Sequence, residues 1–192
     1  MNDMTISSTK EHESGHRKIE WARAHMPILA DIKARFARET PFKGLRIGIC
    51  LHVEAKTGVW LDALTAGGAE VTITGSPGST QDDVAEALNK HPSITVLGAK
   101  ADSRETHDHH CRDVLRSKPD IIADNGADLL TLLATESEFE ALRTTIRGST
   151  EETTTGAYRL RENNVNLDFA TWVINDTQAK RIVENRYGVG SS

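Results

Sequence analysis

The chain has 192 residues, 38% of them apolar and 27% charged, with 23 Lys and Arg against 28 Asp and Glu. That length suffices for one domain with a buried core, and the net charge of −5 with an isoelectric point near 5.9 argues against nucleic acid or an anionic membrane as main partner. No apolar run approaches the roughly 20 residues that span a bilayer. The opening "MNDMTISSTKEHESGH" has no apolar core of a signal peptide, so a cytoplasmic location is expected. Cys50 and Cys111 lie far apart in sequence and are expected as reduced thiols rather than a disulfide framework.

Residues 1–15 read as a disordered polar lead-in and 16–192 as the folded domain. Ile19, Ala22, Met26, Leu29, Ile32 and Phe36 recur at helical spacing, and Pro27 splits that segment into two helices by opening the second. "LRIGICL" (Leu45–Leu51) reads as a buried strand, "AEVTIT" (Ala69–Thr74) as the next, and "STQDDVAEALNKH" as a helix capped by Ser79 or Thr80. Strands are expected at Ser93–Gly98, Asp120–Ala123, Thr144–Gly148 and Phe169–Asn175, with helices near Ser103–Arg116 and after Ala123. This alternation predicts an α/β fold: a single doubly wound, largely parallel, Rossmann-like sheet with N-terminal helices.

In such sheets ligands bind beyond the carboxyl ends of the strands. The polar stretches there are 51–57, 75–82, 124–128, 149–156 and 175–176, expected to open on one rim. The fourth is the most unusual, since Glu151-Glu152-Thr153-Thr154-Thr155-Gly156 packs carboxylates and hydroxyls where a helix begins. Acceptors at a helix mouth either favour the helix dipole or hold a polyhydroxyl ligand such as a ribose. In "THDHHC", His107, His110 and Cys111 fall at i, i+3 and i+4, which could put metal ligands on one face; the segment reads instead as a solvent-facing helix, with no metal expected.

Taken in order, "WARAHMPIL", "GICLHVEAKTGVWLDALTAGGAEV", "STQDDVAEAL", "IIADNGADLL", "IRGSTEETTTGAYRL" and "INDTQAKRIVENRYGVGSS" resemble the substrate-binding domain of S-adenosylhomocysteine hydrolase. The form "HVEAKT" is similar to the archaeal and thermophile branch. The resemblance implies that His52 lies near the ribose 5′ carbon and that Glu152, with Thr153 beside it, accepts from the ribose hydroxyls. It places Lys180 and Asn185 around the 3′-hydroxyl. Glu54, Lys56 and Thr57 fall in the substrate-binding segment. The first two replace the threonine and glutamate with which animal enzymes read adenine, leaving adenine and hypoxanthine both open.

Several positions depart from the family pattern. Asn125 stands where a catalytic aspartate is expected, Glu184 replaces an aspartate beside Asn185, Val189 replaces a cysteine or threonine, and the loop "GSPGSTQDD" is shorter. No G-x-G-x-x-G occurs, so no cofactor is expected in this chain, and NAD only if a separate chain supplies it. The leading reading is a stand-alone domain binding S-adenosylhomocysteine, S-adenosylmethionine or a related nucleoside, repurposed and not a hydrolase alone. S-adenosylmethionine as cosubstrate of a methyltransferase is one version of it. The alternatives are the substrate-binding subunit of a split hydrolase or a truncated fragment. The expected partners are a small nucleoside ligand and a second copy or an NAD-domain chain.

Overall fold

Short β-branched runs set the strands. β1 (Arg46–Cys50), β2 (Glu70–Thr74), β3 (Ile94–Leu97), β4 (Ile121–Asp124), β5 (Gly148–Glu151) and β6 (Thr171–Val173) form a six-stranded sheet in the order β3-β2-β1-β4-β5-β6. The paired strands run parallel, and this order is that of doubly wound, Rossmann-like α/β folds. The expected fold class is therefore the one observed. The computed structural model describes residues 2–162 and 165–189, with side chains over 13–162 and 165–184. The chain divides into two compact units, Met1–Pro119 and Asp120–Ser192.

In the first unit, α1 (Asn2–Ala24) takes in the segment read as a polar lead-in, followed by α2 (Pro27–Glu39), α3 (Ala55–Ala66), α4 (Asp82–Leu88) and α5 (Arg104–Arg116). Pro27 opens α2 as its spacing requires. Ile19 and Ala22 of α1 are buried, as are Ile49, Leu61, Ile73, Val84 and Leu115. Gly15 lets α1 approach α4 very closely: a Cβ there would sit 1.9 Å from the Asp83 carbonyl oxygen. At the same crossing Ser14 Oγ donates to Asp83 Oδ2 at 2.8 Å, and Lys18 Nζ lies 2.8 Å from that oxygen. The cap of α4 differs from expectation. Gln81 is the N-cap residue, without a side-chain cap bond, because Thr80 is buried and turned toward the Ser76 carbonyl.

In the second unit, α6 (Asp128–Thr135), α7 (Glu140–Arg143), α8 (Thr154–Glu162) and a π-helix (Ala179–Val189) flank the strands. Ile122, Leu129, Leu130, Leu133, Phe139 and Ala157 fill the core. The expected strand at Thr144–Gly148 is displaced. Thr145 and Ile146 amides both bond back to the Leu142 carbonyl, continuing the turn out of α7, and pairing with β4 starts only at Gly148, opposite Ile121. Ile146 buries its side chain from that turn rather than from a strand. β6 is also shorter than expected, since Ile174–Asp176 winds into a 3₁₀ turn. Among the described residues no helix is long and apolar enough to cross a membrane.

Asp83 carries the α1–α4 contact electrostatically. Burial pushes its carboxyl up, but the bonds from Lys18 and Ser14, the Lys18 charge and the Val84 amide outweigh that and hold it below the ordinary 3.8. Its contribution to stability is therefore full above pH 3.8 and lost as pH falls through the lower folded value. Asp83→Asn should reduce stability to urea at neutral pH, and its deficit against wild type should shrink as pH drops below that range. An equal deficit at every pH would contradict the ion-pair account.

Candidate functional site

The shift of β5 moves Glu151 from a helix mouth to the end of a strand, and this organises the second unit. Its carboxylate is fully buried. Oε1 accepts from the Gly126 amide at 3.0 Å, the Thr153 amide at 2.8 Å and the Thr153 hydroxyl at 2.7 Å, while Oε2 accepts from the Ala127 amide at 2.9 Å. Gly126 and Ala127 have left-handed backbones, with φ of 97° and 59°. That conformation costs alanine about 1–2 kcal/mol, and it aims successive N–H groups at the anion. Thr153 in turn accepts from the Gly156 amide at 2.9 Å and so caps α8. Gly156 must lack a side chain, since a Cβ there would meet the Glu151 carboxyl carbon at 2.2 Å.

The next residue points the other way and centres the candidate site. Glu152 accepts from Asn125 Nδ2 at 3.1 Å through Oε2, and Lys180 Nζ lies 3.5 Å from its Oε1. Lys180 also meets Glu184 Oε2 at 2.7 Å. The Glu152 side chain stays 41% exposed while that of Lys180 is 14% exposed, so the carboxylate is held yet open to a ligand. Burial pulls the Lys180 ammonium down, but the Glu184 and Glu152 carboxylates outweigh it and hold the lysine above its ordinary range. It acts at neutral pH as a fixed charge rather than a base. Asn125 suits this position as a neutral donor, its Nδ2 bonding the Glu152 carboxylate at 3.1 Å. Of the expected residues, Asn125, Glu152, Lys180 and Glu184 therefore meet. The Thr153 hydroxyl is directed at Glu151 instead. Asn185 and Val189 lie within the π-helix but outside the residues whose side chains are described.

In the first unit, exposed His52 follows β1, and its Nδ1 lies 2.7 Å from Ser79 Oγ. Ser79 directs its own hydrogen to the Ser76 carbonyl at 2.9 Å. Nδ1 is then the protonated nitrogen, which leaves the Nε2 lone pair as acceptor. Ser79, expected as a helix cap, thus sets the tautomer of His52. Its position after a strand end was the available signal. The Thr57 hydroxyl donates to the His52 carbonyl at 2.6 Å and is buried, while Lys56 and Glu54 pair at 3.2 Å.

The face of α5 expected to meet solvent does not. His107 and Cys111 are buried because that face lies on the ends of β1 and β2, and the His107 ring reaches the Gly75 carbonyl. His110 instead pairs with Asp102 at 3.2 Å.

A bound dinucleotide needs a glycine-rich turn whose amides are available to a pyrophosphate. The turn after β1, Leu51-His52-Val53-Glu54, has no glycine and puts a carboxylate at the N-cap of α3. After β4 and β5 the amides of Gly126, Ala127 and Thr153 are taken by Glu151. These three turns do not fit the pyrophosphate of NAD.

Glu151→Gln turns one acceptor oxygen into a donor facing backbone N–H groups and should destabilise the chain by about 1–3 kcal/mol. Gly156→Ala should cost a similar amount by overpacking, about 1–3 kcal/mol. The double variant should lose less than the sum, because both disrupt one carboxylate. Denaturant unfolding followed by circular dichroism measures all three, and strict additivity would refute the shared cause.

Comparison with known proteins gives the family. The model of S-adenosyl-L-homocysteine hydrolase matches residues 3–144. The chain is 45% identical to an adenosylhomocysteinase of Aquifex aeolicus over 184 residues, covering 94% of this chain and 43% of that protein. It is 44% identical to an adenosylhomocysteinase of Archaeoglobus fulgidus, covering 93% and 44%. It is 45% identical to an S-inosyl-L-homocysteine hydrolase of Methanocaldococcus jannaschii, covering 94% and 43%. The chain spans less than half the length of these relatives, and the family was legible in six ordered motifs of the sequence. This chain belongs to the S-adenosyl-L-homocysteine hydrolase family.

Proposed function

We propose that this chain is a substrate-binding region that holds the ribose of an S-nucleosyl homocysteine, with Glu152 as acceptor for the vicinal hydroxyls. The observation that carries this reading is the Glu152 carboxylate itself, anchored by Asn125 and Lys180 yet open along its exposed face. A carboxylate offers paired acceptor oxygens at a spacing that suits a diol. Lys180, held protonated by Glu184 and Glu152, offsets the carboxylates and favours alkoxide character on a bound hydroxyl. Asn125 exchanges no proton, so these residues bind and orient the sugar. Relatives named for both the adenosyl and the inosyl substrate support a pocket that leaves the base open.

The second reading is that this region works with a dinucleotide-binding partner as part of a complete hydrolase. It is favoured by 45% identity to a full-length relative of which this chain covers 43%. Calorimetry separates the readings. The isolated chain should bind S-adenosylhomocysteine and S-inosylhomocysteine, and Glu152→Ala should weaken binding about 10–100-fold, the equivalent of a diol contact worth about 1–3 kcal/mol. The 2′,3′-dideoxy analogue should bind wild type and Glu152→Ala equally. No heat from either ligand at millimolar concentration would overturn binding by the isolated chain. Recovery of binding only with a dinucleotide domain added would establish the second reading.

A further inference from the structure

The chain's cysteines, 61 positions apart in sequence, meet in the fold. Cys50 ends β1 and Cys111 lies midway along α5, both at 0% exposure, and His107 joins them at 1%. One ligand atom from each falls within 4.8 Å of the others. His107 Nε2 is 3.4 Å from Cys111 Sγ, while its Nδ1 is 3.0 Å from the Gly75 carbonyl. Since a carbonyl only accepts, Nδ1 carries the proton and Nε2 presents its lone pair to the thiols. A backbone carbonyl fixing the distal nitrogen is the arrangement that orients metal-bound histidines.

We propose that Cys50, His107 and Cys111 bind one Zn²⁺ ion in the first unit, a site separate from the Glu152 cluster. With zinc–sulfur and zinc–nitrogen bonds of about 2.3 and 2.0–2.1 Å, tetrahedral ligation needs S···N separations near about 3.5 Å, and the His107–Cys111 pair already stands at 3.4 Å. Sulfur and imidazole ligands select a soft ion over Mg²⁺ or Ca²⁺. Charge favours Zn²⁺, because a divalent cation neutralises both thiolates of a buried site, whereas a monovalent ion would leave a net charge away from water. Binding releases the thiol protons, so no redox partner is required. Three protein ligands leave the fourth tetrahedral position to a water molecule. The site joins β1 to α5, a structural role.

The test uses the full chain, reduced and freed of metal. Zinc titration against a chromophoric chelator should show one equivalent bound, and Co²⁺ should give the thiolate charge-transfer and intense visible bands of a tetrahedral site. X-ray absorption of the zinc form should show two sulfur neighbours and lighter N/O neighbours. Cys111→Ser and His107→Asn should each weaken binding by at least about 100-fold, while His109→Ala should not change it. If the Ser and Asn variants fail to fold, the absorption spectrum of wild type decides alone. An all-N/O shell, no uptake by folded wild type, formation of a Cys50–Cys111 disulfide in place of uptake, or uptake that survives Cys50→Ser/Cys111→Ser would overturn the site.

Discussion

A carboxylate shut away from water sets the terms for the second unit. Glu151 can remain buried only because donors surround it, and those donors come from the loop after β4 and from the turn into α8. An anion buried without such partners would cost several kcal/mol. Satisfying it imposes a left-handed backbone on Ala127 and requires the missing side chain of Gly156. The loop and the helix start are thereby tied to one point. Arg159 of α8 adds to the tie by donating to the Gly126 carbonyl and to Asp128 Oδ1 at 2.7 Å.

The same arrangement decides which polar groups stay open. Amide groups at helix starts are where phosphates bind in many folds with this strand order, but here the protein's own carboxylate occupies them. What remains open is a negative side chain, Glu152, which shares the ammonium of Lys180 with Glu184. Adjacent glutamates thus do opposite work because successive side chains at a strand end point to opposite sides.

The first unit repeats the pattern with different chemistry. Around the end of β1, Cys50 turns into the interior toward α5, whereas His52 faces out and is set in its tautomer by Ser79. Close approach of α1 to α4 depends on Gly15 in the way that α8 depends on Gly156. In both units a glycine marks where two backbones, or a backbone and a charge, come within contact distance.

The sequence by itself determined the fold class, since apolar periodicity and turn residues are local properties that alternate visibly along the chain. Pro27 at a helix start is equally local, because it follows from proline's fixed φ and missing N–H. Six ordered motifs also determined the family and singled out Asn125, Glu152, Lys180 and Glu184, which the structure brings together. The register of β5 was decided only by tertiary structure. Ile146 suits a strand or a buried turn alike, and pairing with β4, which starts only at Gly148, chooses the turn. That choice makes Glu151 an internal anchor and Glu152 the exposed acceptor, a division no local pattern encodes. The meeting of Cys50 with His107 and Cys111 is likewise a product of packing, as helical spacing alone suggested His110 as the third member. Spacing along one helix shows which residues share a face, while only the fold shows what that face meets.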